Sequence, residues 1–157
     1  MSFLRKNPIN ILLFSYICNM VQHIILKNDI SETSRLEQFL QDVCRGYELS
    51  DKSFKSLNLA VEEWAVNVIS HAYPEGTKPE GMEITAKVTD GVLKLVIKDH
   101  GIPFDPTKQD ETDVYATLED RHVGGLGIHM IRAIMDKMVY KRTADGYNVL
   151  TLTKKIG

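Results

Sequence analysis

The chain has 157 residues, 43% of them hydrophobic and 25% charged, which fits one domain with enough apolar matter for a single core. Lys and Arg number 19 against 21 Asp and Glu, a net charge of −2. That argues against direct nucleic-acid binding through a broad basic surface but leaves room for a small phosphate pocket. The two cysteines, Cys18 and Cys44, have no metal-type spacing and fit a reducing, cytoplasmic setting.

Arg5 and Lys6 precede an apolar run from Ile9 to Cys18, the charge order of a signal peptide. Asn10 interrupts that run, no small-residue cleavage pattern follows, and it is far below the ~20 residues that span a bilayer. Residues 1–19 are therefore expected to be an accessory segment and 20–157 the domain proper. Val21 to Lys27 is β-branched and apolar enough for a first strand. Ser31 is placed to cap a helix in which Leu36, Phe39, Leu40, Val43 and Tyr47 recur at helical spacing. Asp51 is placed to cap a longer helix with Phe54, Leu57, Val61, Trp64 and Val68 as its core stripe. Ser56, Ala60, Glu63, Asn67 and His71 share another face of that helix.

Beyond the breakers Pro74 and Gly76, Glu83–Thr89 and Val92–Lys98 alternate apolar and polar around Asp90-Gly91, a strong two-residue hairpin signal. Asp99-His100-Gly101-Ile102-Pro103 ends the second strand, and Thr107 to His122 is polar and aperiodic, as in a mobile loop. Gly124, Gly125 and Gly127 open an apolar helix, and a last hairpin runs from Val139 to Thr153 across Asp145-Gly146. The order of elements predicts an α+β fold, a two-layer sandwich in which helices cover one face of a mainly antiparallel sheet.

Three places have functional chemistry. Glu63 and Asn67, four residues apart on a helix, point the same way. Asn67 offers a neutral oxygen to magnesium, and Glu63 can orient or deprotonate a hydroxyl. Asp99 at a strand end can accept from an exocyclic amine, with Gly101 leaving space for a flat base against the backbone. Gly124-Gly125-Leu126-Gly127 at a helix start can turn backbone N–H groups toward an anion. It lacks the Lys-Ser/Thr ending of a Walker loop and the βαβ frame of a Rossmann fingerprint. Each alone is explained as well by ordinary structure: solvated helix residues, a plain turn, a helix start.

Their joint order is much more specific. Glu62-Glu63-Trp64-Ala65-Val66-Asn67-Val68-Ile69-Ser70-His71-Ala72-Tyr73 resembles the N box of the GHKL (histidine kinase-like ATPase) superfamily, in the version of the RsbW-like anti-sigma-factor serine/threonine kinases that ends in His-Ala-Tyr. Asp99-His100-Gly101-Ile102-Pro103-Phe104-Asp105-Pro106 is similar to their G1 box, and Gly124-Gly125-Leu126-Gly127-Ile128-His129-Met130-Ile131 to their G2 box. The resemblance runs from about Val21 to the end. It implies the Bergerat-type α/β sandwich, with a mixed, mainly antiparallel sheet. It also implies ATP and Mg²⁺ as cofactors, with Asn67 as metal ligand, Glu63 as catalytic carboxylate, and Asp99 with Gly101 at adenine. Gly124, Gly125, Leu126 and Gly127 would then border the phosphates, in a lid of roughly Thr107 to Gly127. Trp64 and Val66 depart from the small or hydroxyl residues usual there, and Trp64 is expected to face the core, away from nucleotide. Arg121 and Lys108 are the candidates for lid charge.

The implied function is partner switching: an ATP-dependent kinase that phosphorylates Ser or Thr on a small antagonist protein and holds a sigma factor or other target, acting as a cytoplasmic homodimer without a membrane span. The alternative is a non-catalytic module in which ATP orders the lid and selects the partner surface. The catalytic half of a histidine kinase ranks below both, because no long helix pair with a phosphoacceptor His precedes the N box.

Overall fold

The structure, a computed structural model, describes residues 21–109 and 125–156. Cys18, Arg121, Gly124 and most of the expected lid lie outside the described residues, as does the side chain of Leu126. Strands β1 (Gln22–Leu26), β2 (Met82–Thr89), β3 (Val92–Asp99), β4 (Lys137–Arg142) and β5 (Asn148–Lys155) form one sheet in the order β1-β2-β3-β5-β4. All four pairings are antiparallel, so the mixed character implied for the sheet is not found among the described residues. The helices are α1 (Thr33–Gly46), α2 (Asp51–His71) and α3 (Gly125–Ile134), with short 3₁₀ turns at Ile30–Glu32 and Pro106–Lys108.

The period-2 pattern decides which face is covered. Ile84, Ala86, Val88, Leu93, Leu95, Ile97, Leu150 and Leu152 are buried, while their strand neighbours Lys87 and Lys94 are exposed. Against that face lie Leu36, Leu40 and Val43 of α1 and Leu57, Val61, Trp64 and Val68 of α2, in one continuous core. Each fully buried aliphatic side chain contributes roughly 1.5–3 kcal/mol, so the stripe of α2 is a principal anchor of the fold. Cys44 packs in the same core, and burial pushes its thiol up to about 11, which leaves it unreactive. The hairpin at Asp90-Gly91 has positive φ at both residues, 50° and 73°, as a two-residue type I′ turn requires.

Two capping assignments change. Ser50, not Asp51, caps α2: its hydroxyl accepts from Ser53 N at 3.1 Å, and Asp51 becomes the first helical residue, where its charge favours the helix dipole. Before α1, Asp29 rather than Ser31 takes the capping role, its Oδ1 accepting from Ser31 N at 2.8 Å and starting a 3₁₀ turn that leads into the helix. In both places two capping residues stand close together in sequence, and the backbone geometry chooses between them.

The start of the segment expected as a lid is pinned. Arg132 of α3 donates to the carbonyls of Pro106, Thr107 and Gln109, each at 3.0 Å. The guanidinium thus joins the chain just after Phe104 to the helix that follows the glycines.

Candidate functional site

A cleft of about 180 Å³ opens between the C-terminal half of α2 and the ends of β3 and β5. That is more than ten times the roughly 10–15 Å³ that one water requires. Trp64, Asn67, Val68, His71 and Ala72 line it from α2 and its end, Asp99, Ile102 and Phe104 from β3 and the turn after it, and Asn148 from β5. Asn67 and Asp99, far apart in sequence, therefore face one space. Of the helical face through Glu63, Asn67 and His71, the last two line the cleft, next to Trp64 and Val68 of the core stripe.

Glu63 sits beside the cleft, where α2 meets α3. A Cβ added to Gly127 would lie 3.0 Å from Glu63 Oε2 and 3.4 Å from Asn67 Nδ2. Gly127 thus brings the glycine-rich helix start directly onto the Glu-x3-Asn face, so two of the three motifs share a contact surface. Gly125 is the first residue of α3, and Lys108 is exposed, 3.8 Å from Asp105. Gly124 and Arg121 fall outside the described residues.

The turn after β3 is strapped to the end of α2. Ile102 N donates to Ala72 O at 2.8 Å, and His100 N donates to the Tyr73 hydroxyl at 3.1 Å. Burial pushes the Tyr73 phenol above its ordinary pKa. A Cβ on Gly101 would lie 2.5 Å from Ala72 Cβ, 2.7 Å from Ala72 O and 3.0 Å from Asp99 Oδ1. The glycine is required first by this close approach of the turn to α2, a reason different from the space for a base that the sequence suggests. It also explains why Ala-Tyr at the helix end belongs with Asp-x-Gly at the strand end.

Asp99 is 2% exposed. Its Oδ1 accepts from Gly101 N at 2.9 Å and from Asn148 Nδ2 at 2.9 Å, while no described residue donates to Oδ2. A buried carboxylate with one oxygen held and the other without a donor, on a cleft wall, suits a ligand that brings a donor of its own. The apolar groups around it, Val68, Ala72, Ile102 and the Trp64–Phe104 ring pair, with centroids 6.2 Å apart, suit a flat heterocycle.

Trp64, His100 and Asn148 make contacts beyond their places in core, turn and strand. Trp64 is in the core, 3% exposed, yet it also lines the cleft, and its buried Nε1 has no hydrogen-bond partner among the described residues. His100 is held on both sides: its Nδ1 lies 2.9 Å from Glu80 Oε2, its Nε2 lies 3.1 Å from Asp145 O, and its ring stacks on Tyr147. The hydrogen bond to the Glu80 carboxylate holds its pKa above the ordinary histidine value, against a smaller opposing effect of burial. Asn148, read only as a strand residue, proves to be part of the wall. The signal was available: it opens an alternating strand at an inward position, followed by Leu150 and Leu152, and a polar residue in an apolar period is an anomaly that calls for a partner.

Residues 26–154 match the family model described as histidine kinase-like ATPase domain. The chain is 35% identical over 98 residues to the serine/threonine-protein kinase BtrW of Bordetella bronchiseptica, covering 62% of this chain and 68% of that protein. It is 31% identical over 113 residues to the serine-protein kinase RsbW of Halalkalibacterium halodurans, covering 69% of this chain and 65% of that one. The chain thus spans about two thirds of these relatives' length. A crystal structure of the RsbU and RsbW domains of Rv1364c from Mycobacterium tuberculosis has the same fold over 87% of this chain and 32% of that one, with a TM-score of 0.61 at 17% identity.

Proposed function

The chain belongs to the histidine kinase-like ATPase domain family, and from that premise we propose that it is a partner-switching protein kinase of the anti-sigma-factor type, moving the γ-phosphoryl group of ATP to a Ser or Thr of a small antagonist protein. The observation that carries this reading is the shared cleft. Asp99 offers an open carboxylate oxygen among apolar walls, and Glu63, Asn67 and Gly127 meet at its side. The named kinases among its relatives support the reaction type.

In this reading Asp99 Oδ2 accepts from the exocyclic amine of adenine, while Gly101 keeps the turn close to α2. Asn67 offers its side-chain oxygen to Mg²⁺, which when bound supplies charge neutralisation for the transferring phosphoryl group. Glu63, one turn earlier on the same face, accepts the proton of the attacking hydroxyl. Gly124, Gly125, Leu126 and Gly127 border the phosphates, with the N-terminal N–H groups of α3 favouring negative charge. A sigma factor as the held target, a homodimer and a cytoplasmic location go with this reading. No helix among the described residues is long and apolar enough to cross a membrane.

The test is labelling with Mg²⁺ and γ-phosphate-labelled ATP in a small-protein fraction of the host. Wild type is expected to label a small protein on Ser or Thr. Glu63→Gln is expected to reduce the rate by about 10²-fold or more while ADP affinity stays within about twofold. Undiminished labelling by Glu63→Gln would remove Glu63 from the reaction.

A further inference from the structure

We infer that Asn148 is the positioning residue for base selection: it fixes which oxygen of Asp99 faces a bound purine, and Tyr140 and Arg142 lock its amide for that task. This rests on the reading of Asp99 as the partner of a purine amine. Asn148 is 4% exposed and stands opposite Asp99 in the β3–β5 register. Its Nδ2 reaches Asp99 Oδ1 at 2.9 Å, Ile102 O at 2.9 Å and Gly101 O at 3.3 Å. Its Oδ1 accepts from the Tyr140 hydroxyl at 2.6 Å and from Arg142 Nη1 at 3.0 Å.

An amide has two N–H donors and two acceptor lone pairs, and here all are engaged. The orientation is fixed as well, since a flip would turn the amide oxygen toward a carboxylate and two carbonyls and the NH₂ toward the Arg142 guanidinium, which only donates. Asn148 therefore has no capacity left for a ligand and acts only through its neighbours. Its effect on Asp99 is specific. Together with Gly101 N it occupies Oδ1, which stops rotation of the carboxylate and leaves Oδ2 as a single, fixed acceptor. An acceptor-only oxygen at that place favours a purine with an amino group at position 6 and disfavours a 6-oxo purine, whose carbonyl would face a carboxylate. Arg142 Nη1 also donates to Gly101 O at 2.8 Å, so the β4 side of the network holds the turn and the amide together.

The experiment compares ADP with purine riboside 5′-diphosphate, which differs only in lacking the 6-amine, by calorimetric titration with Mg²⁺ on wild type, Asn148→Ala and the double variant Tyr140→Phe/Arg142→Met. Circular dichroism melts establish which variants fold, and the double variant carries the test if Asn148→Ala does not. Wild type is expected to prefer ADP by about ten- to a hundredfold, one hydrogen bond to a charged group. The folded variants are expected to lose most of that ratio, to about threefold or less. A merely structural role would weaken both ligands together and keep the ratio, and a preserved ratio would overturn the inference. A ratio near one in wild type would instead overturn the assignment of Asp99 itself, and this inference with it.

Discussion

At the scale of single residues, the site depends on close approaches that polar chemistry alone does not reveal. Gly101 is the sharpest case. Its missing side chain lets the turn after β3 lie on Ala72, with a virtual Cβ 2.5 Å from Ala72 Cβ. Gly101→Ala is therefore expected to destabilise the fold by about 1–3 kcal/mol through overpacking, visible as a lower melting temperature. Ala72→Gly in the same chain should recover part of the loss, whereas an unchanged melt in Gly101→Ala would mean that the turn has room to move. That Asn67 and Asp99 face one cleft, with Glu63 and Gly101 beside it, is legible in the sequence because the order of the motifs along the chain is specific even though each alone is not. For Asn148 the sequence shows only a polar residue at an inward position; its partners Asp99, Tyr140 and Arg142 are not legible, because the network runs across three strands and the register that aligns Asn148 with Asp99 is invisible until β3 and β5 pair. Trp64 lies in the core as its helical stripe implies, and its one wide indole serves the core and the cleft wall at once.

At the scale of elements, His100 connects pieces that the sequence left separate. Its ring lies between Glu80, in the segment before β2, and the Asp145 carbonyl, in the loop between β4 and β5. Both partners accept, so the protonated imidazole, which donates from both nitrogens, is the form this clasp favours. The folded pKa is raised above the ordinary value. Its contribution to stability is thus fully present below the unfolded pKa of about 6.5 and is lost as pH rises through the raised folded value. Wild type melting temperature should fall across that window more than that of His100→Asn, measured from about pH 5.5 to 9. Parallel curves for the two proteins would show that the clasp carries no pH-dependent stability. Strands and helices were largely legible, since the 2.0 and 3.6 periods are strong in β2, β3, α1 and α2. Helix starts were less so, because Ser50 and Asp51, or Asp29 and Ser31, are competing caps, and only φ and ψ decide between them.

At the scale of the whole molecule, one antiparallel sheet and one layer of helices place the chemistry at a single edge, where α2, the end of β3 and the start of α3 converge. Residues 1–19, expected from the sequence to be accessory to the domain, lie outside the described residues, and we propose that nucleotide binding does not need them. Deleting them is expected to leave ADP affinity within about twofold, read by titration of the purified domain. Loss of nucleotide binding in a folded deletion would make that segment part of the site. In the proposed function the cleft holds a magnesium nucleotide through Asp99. It is tested most directly by calorimetric titration of ADP, with and without Mg²⁺, against wild type and Asp99→Asn, a substitution that keeps shape but removes the charge. Wild type is expected to bind in a magnesium-dependent way and the variant about a hundredfold more weakly; equal binding by the two proteins, or none by wild type, would rule out Asp99 as the base-binding residue of this cleft.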